Sequence, residues 1–139
     1  MRSVAIAAPA TLVWDLTVDV AAWPRLTPTM TEVRRLDSGP IQVGSEAEIK
    51  QPGLPTATWR VTTLESGRLF VWASTATGVK SVGEHLIVPE GDSCKLMLRI
   101  NQTGPLAWLV GLVYGRKVRQ FLETELEGFR KAAEAQAAS

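Results

Sequence analysis

Residues 104–135 read GPLAWLVGLVYGRKVRQFLETELEGFRKAAEA, and this stretch decides the fold. Gly104-Pro105 breaks whatever precedes it and no proline follows, so the spacing predicts one helix over residues 106–133. Trp108, Leu112, Gly115, Val118, Leu122, Leu126, Phe129 and Ala133 recur near the 3.6-residue period and mark its expected buried stripe. At 1.5 Å per residue such a helix spans ~40 Å. It needs a long apolar surface to lie on.

The chain before it reads as strands. Cys94, Leu96, Leu98 and Ile100 alternate cleanly over residues 94–101. Residues 81–88 form the preceding strand, joined to it by the turn Pro89-Glu90-Gly91-Asp92-Ser93. Further back, Phe70 and Trp72 share a face over residues 68–74, and Trp59 and Val61 do so over 57–64. Residues 45–51 and 32–36 complete the run, with Pro52, Gly53 and Pro55 as breakers. At the start, a short strand over residues 3–7 meets Pro9, which suits the opening of a helix. Asp19 is the expected N-cap of a second short helix over 20–26, carrying Trp23-Pro24. Strand, two short helices, six consecutive strands and one long helix make an α+β fold. About seven antiparallel strands, in β-α-α-β6-α order, are expected to curve around the long C-terminal helix.

Composition narrows the function classes. The 139 residues are expected to form a single domain spanning 1–139, and 45% hydrophobic content supplies one real core. Fifteen Lys and Arg against fourteen Asp and Glu leave a net charge of +1, which argues against nucleic acid as a partner. Cys94 is the only cysteine and His85 the only histidine, so multi-cysteine zinc sites and His-His metal motifs are excluded. No metal and no cofactor are expected, since the chain has neither a P-loop nor a dinucleotide fingerprint. The first ten residues do not read as a signal peptide. The most apolar run, 106–114, is too short to span a bilayer, so no integral membrane association is expected. A cytoplasmic protein, monomer or homodimer, is the expectation.

Element order and several segments resemble the START-like SRPBCC superfamily, in particular its polyketide cyclase/dehydrase and lipid-transport branch. The segments are Ala8-Pro9 with Trp14 following, Asp19 with Trp23-Pro24, VTTLESGRLFVW over 61–72, SCKLML over 93–98, and the helix quoted above. Ser93-Cys94 stands where the family usually has Gly-Thr. The resemblance implies the helix-grip fold, with sheet and long helix enclosing an elongated apolar cavity. It does not imply one reaction.

Inward phase makes Trp59, Phe70, Trp72, Leu86, Leu96, Leu98, Trp108 and Leu112 the expected lining of that cavity, set against plain core packing. Gly111 and Gly115 are expected to leave room beneath the sheet. Tyr114 points either at the cavity mouth or into the seam between helix and sheet. In residues 81–88 the even positions Val82, Glu84, Leu86 and Val88 carry Glu84 onto the apolar face, where it would serve as acid, base or ligand anchor. A one-residue shift of phase would instead turn Glu84 to solvent and bring His85 inward. Glu84 and His85 are therefore the two catalytic candidates. Cys94 shares the phase of Leu96 and is expected to be buried and inert. Arg116, Lys117 and Arg119 form the one basic cluster, read as a solvated face with pairs such as Arg119–Glu123, or as a site for an anionic head group.

Three functions follow. The first is binding of a hydrophobic small molecule, lipid-like or aromatic, in the cavity. The second is a cyclase/dehydratase-type enzyme using the same cavity with Glu84 as acid/base. The third is a protein-interaction adaptor, which an exposed apolar patch at the cavity mouth would favour.

Overall fold

A computed structural model describes residues 1–139. Strand β1 (Arg2–Ile6) leads into helix α1 (Ala10–Val18), which Pro9 opens from extended backbone at φ −62°. The buried Thr17 hydroxyl in α1 is satisfied by donating to the Val13 carbonyl at 2.8 Å. Asp19 makes no capping bond; it forms the bend after which the expected second helix divides. Residues Val20–Ala22 make a 3-10 turn, and α2 (Trp23–Leu26) is a single turn with Pro24 near its start.

Six strands follow: β2 (Glu32–Arg35), β3 (Glu46–Lys50), β4 (Ala57–Glu65), β5 (Leu69–Ala76), β6 (Val79–Glu90) and β7 (Ser93–Thr103). All pairs are antiparallel, in the spatial order β1-β7-β6-β5-β4-β3-β2. The chain ends in α3 (Ala107–Ala137). Seven strands curved around a long C-terminal helix are the α+β helix-grip arrangement that the sequence led us to expect.

Two details shape the sheet. The β4–β5 register shifts between Val61 and Thr63, a bulge that keeps both Val61 and Leu64 on the inner face, opposite Trp72 and Phe70. The β6–β7 turn is tighter than the five residues expected, because Pro89 and Glu90 still pair with Cys94 and Ser93. Pro89 fits inside a strand here because the last bond on that side of β6 is the Ile87 amide donating to the Arg68 carbonyl at 2.8 Å, so the Pro89 nitrogen faces an edge with no strand to pair. Gly91 at φ 67° then reverses the chain.

Helix α3 does not bury one stripe along its whole length. Its C-terminal half buries Leu122, Leu126, Phe129 and Ala133, as the period predicted. Gly128 lets it approach α2 closely: a Cβ there would lie 2.2 Å from the Leu26 carbonyl oxygen. In the N-terminal half, Val118 keeps the expected phase, but Val110, Tyr114 and Phe121 line the cavity side in place of Trp108, Leu112 and Gly115. A straight helix crossing a twisted sheet turns a changing side toward it, and the first turns here overhang open space. Trp108 and Leu112 consequently stand 68% and 77% exposed, which corrects the expectation that they line the interior. Gly111 faces open space, and Gly115 has only the Arg119 guanidinium near it, so neither glycine makes room beneath the sheet.

Candidate functional site

Between the inner face of the sheet and α3 lies a cavity of about 510 Å³. Strand alternation decides which side chains reach it. On β5, Trp72 and Ser74 face inward; on β6, Ser81, Gly83 and His85; on β7, Leu98, Ile100 and Gln102. β4 adds Ala57 and Trp59, and α2 closes one end with Trp23. That end is buried, holding Trp23, Met30, His85 and Glu125. The other end reaches the surface between exposed Pro55, Thr56, Thr75 and Ala76.

His85 sits on the closed end's aromatic floor. Its ring lies 5.1 Å from Trp23, 5.4 Å from Phe70 and 6.4 Å from Phe129. Neither ring nitrogen has a hydrogen-bond partner. Burial disfavours the imidazolium and lowers the pKa to about 4, so the ring is neutral at pH 7, one nitrogen donating and the other accepting.

Glu125 projects from α3 into the same region. Its one hydrogen-bond partner is the Thr29 hydroxyl, which donates to Oε1 at 3.2 Å. Thr29 is itself fixed by Thr27, whose Oγ1 accepts from the Thr29 amide at 3.2 Å. Burial pushes the Glu125 carboxyl up to about 7, and the Thr29 bond offsets only part of that. Phe129, one turn beyond Glu125, lies edge-on to the His85 ring with centroids 6.4 Å apart, and His85 and Glu125 both line the cavity. Glu125 was not among the site residues that the sequence singled out. The signal was present: Glu125 lies three residues after Leu122 and four before Phe129, squarely on the buried side.

The other sequence-derived candidates divide. Trp59, Trp72, Leu98 and Tyr114 stand on the cavity wall. Phe70 and Leu96 are fully buried in the core packed behind it. Leu86 lies on the outer face of the sheet, opposite Leu69 and Met97, which corrects its expected inward phase. Glu84 is the principal correction. It borders the cavity, yet alternation turns its carboxylate to the outer face, 3.7 Å from Arg99, with side chains 37% and 54% exposed. The physical reason is that β6 carries Val82, Leu86 and Val88 on its outer face, while the cavity side holds the small or polar Ser81, Gly83 and His85. Cys94 is buried, as expected, and its surroundings raise its pKa.

The family described as polyketide cyclase/dehydrase and lipid transport matches residues 1–134. The chain belongs to this family. Among solved structures it is similar to the Zhui aromatase/cyclase from Streptomyces, with 25% identity and a TM-score of 0.72 over 96% of this chain and 91% of that one. The di-domain ARO/CYC protein BexL gives 21% identity and a TM-score of 0.72; 94% of this chain is covered, but it spans only 44% of that protein. A Thalictrum norcoclaurine synthase, 17% identical, shares the fold with a TM-score of 0.73 over 97% of this chain and 92% of its own. No curated protein matches in sequence. Family membership accounts for a ligand-binding cavity between sheet and helix, the feature just described.

Proposed function

We propose that the chain holds a hydrophobic small molecule, lipid-like or aromatic in shape, in the cavity, with the ligand's polar group set at the end formed by His85 and Glu125. The observation that carries this is the combination of aromatic walls with two polar side chains at the closed end, an unpartnered His85 ring and a Glu125 carboxyl bonded through Oε1 alone. A volume of about 510 Å³ falls in the range of small-molecule sites. Trp23, Trp59 and Trp72 offer flat apolar surface, and Tyr114 and Gln102 offer polar contacts along the wall. The aromatase/cyclase neighbours, which act through the same fold, support the choice of ligand class.

Titration with Nile red, an apolar dye, tests it. Wild-type protein should bind saturably at one site. Ser74→Trp fills the wall beside Trp72 and should weaken binding at least tenfold while leaving the circular dichroism spectrum unchanged. Equal affinity in the folded variant overturns the reading.

A second reading is acid–base catalysis, and it rests on the opposed environments of the same two groups. His85 stays neutral and keeps one N–H to donate, while Glu125, raised to about 7, is partly ionised at pH 7 and is the stronger base of the two. On a bound ketone, Glu125 would take a proton from the carbon beside the carbonyl while the His85 N–H donates a hydrogen bond to the carbonyl oxygen, giving an enolate held by that bond. Loss of α-deuterium from a bound acetylnaphthalene, followed by NMR, separates the two readings. Enzymatic exchange should disappear in Glu125→Gln with binding retained. A carrier leaves exchange at the buffer rate from the start.

A further inference from the structure

The first turns of α3 carry no charge, and the Trp108 indole N–H is their one outward hydrogen-bonding side-chain group. Trp108, Leu109, Leu112 and Val113 are all exposed there, while Val110 and Tyr114 occupy the cavity side. A helical segment that is apolar all round is ordinarily covered on every side, and a clustered exposed apolar patch marks a contact surface. The same face continues into cations. Leu112 and Arg116 are four residues apart and Arg119 follows three later, so all three align along one side of the helix.

Neither arginine has a carboxylate to pair with. Glu123, one turn beyond Arg119, is held by Arg2 at 3.2 Å, which corrects the expected Arg119–Glu123 pair. Lys117, by contrast, is engaged, donating to the Pro52 carbonyl at 3.3 Å. From Ser93 through Leu122 the sequence contains no Asp or Glu at all.

We propose that this face of α3 docks on an anionic lipid surface, with Trp108 and Leu112 entering the boundary between head groups and acyl chains and Arg116 and Arg119 meeting the head-group charge. Charge complementarity selects the occupant: two arginines without a salt-bridge partner, beside a Glu123 already held by Arg2, call for an anionic surface. The apolar part selects lipid over protein. A protein groove of this size exchanges several directional hydrogen bonds, and residues 106–113 offer only the Trp108 indole N–H as a side-chain donor. Trp is the side chain best suited to a layer that is apolar below and wet above. No helix of the chain is long and apolar enough to cross a membrane, so the contact is peripheral. Docking in this way sets the exposed rim of the cavity, at Pro55 and Ala76, beside the lipid, because α3 supplies both the docking face and the cavity wall. The surface stands whether or not the cavity holds the ligand proposed above.

Co-sedimentation with vesicles tests it, using phosphatidylcholine alone and phosphatidylcholine with about one-third phosphatidylserine. Wild-type protein should bind the anionic vesicles, bind the neutral ones at least tenfold more weakly, and lose the difference as salt is raised. Removing both arginines as Arg116→Gln with Arg119→Gln should cost roughly 25-fold, about fivefold for each surface cation. Trp108→Ser with Leu112→Ser should abolish binding. All four positions are exposed, so the variants should keep the wild-type melting temperature and Nile red affinity, which separates failure here from failure of the cavity reading. Absence of wild-type binding to anionic vesicles overturns the proposal, as does undiminished binding by either double variant. A wild-type dimer that Trp108→Ser with Leu112→Ser converts to monomer also overturns it, by assigning the patch to a second copy.

Discussion

The Thr29 hydroxyl donates to Glu125 Oε1 at 3.2 Å, joining the segment before β2 to the middle of α3. This bond holds the one buried carboxyl of the cavity at a fixed point while leaving Oε2 without a partner. Its setting ties stability to pH. The carboxyl is pushed from 4.5 to about 7 in the folded state, so between those values the folded chain holds a proton that the unfolded chain has released. The contribution is fully present below pH 4.5 and is lost as pH rises toward 7. Glu125→Gln cannot titrate, and above pH 7 it should exceed the wild type by on the order of 3 kcal/mol. Urea midpoints from pH 4.5 to 8 check this; a constant gap between the two proteins would contradict it.

His85 works in the opposite sense. Its pKa falls from 6.5 to about 4 on folding, so its contribution is present above 6.5 and lost as pH falls toward 4. The two slopes oppose each other between pH 4.5 and 6.5. His85→Phe replaces an imidazole with two unpartnered nitrogens by a ring that suits Trp23, Phe70 and Phe129. Stability at pH 7 should rise by about 1–2 kcal/mol. Affinity for a ligand with a polar group should fall, and affinity for Nile red should change little. Denaturation and binding measured on one preparation check both parts.

Gly128→Ala should destabilise. The added methyl lies 2.2 Å from the Leu26 carbonyl oxygen, a backbone atom that cannot rotate away. Separation of α2 from α3 should cost about 1–3 kcal/mol, in spite of alanine's better helix propensity. A melting temperature at or above that of the wild type would show that the two helices part freely.

Tryptophans on the two sides of the molecule should behave differently. Trp23→Ala removes a fully buried ring packed against Phe70, Trp72 and Phe129, and should cost about 3–5 kcal/mol. Trp108→Ala removes an exposed one and should change stability by less than about 0.5 kcal/mol. Chemical denaturation of the two variants gives the comparison directly.

Element order was legible in the sequence because turn residues and period are local signals. Cys94, Leu96 and Leu98 alternate without interruption, and β7 lies where they put it. The site was harder to read, for one physical reason: a cavity relaxes the rule that inward positions are apolar. On β6 the inward positions are Ser81, Gly83 and His85, while Val82, Leu86 and Val88 point out, so the alternation favoured the wrong face and chose Glu84. On α3 a glutamate occupies a buried position that a packed core would have given to leucine. Trp108 and Leu112 misled in the opposite way, because they keep the period of the buried half of α3 where that helix has already passed beyond its support.

The pairing of β1 with β7 has a bearing on how the chain folds. Arg2 lies opposite Leu98 and Ile6 opposite Cys94, so the first strand made during synthesis finds its partner only after the last strand has been made. Until then Val4 and Ile6 have no sheet to join, and α1 waits with them. Such long-range closure places folding in the slow, millisecond-to-second regime of β-rich proteins. On the ribosome, β2 to β6 can pair as successive hairpins while the amino-terminal segment stays loose, to be added last along with α3, whose Glu134 accepts from the Ala7 amide at 2.9 Å.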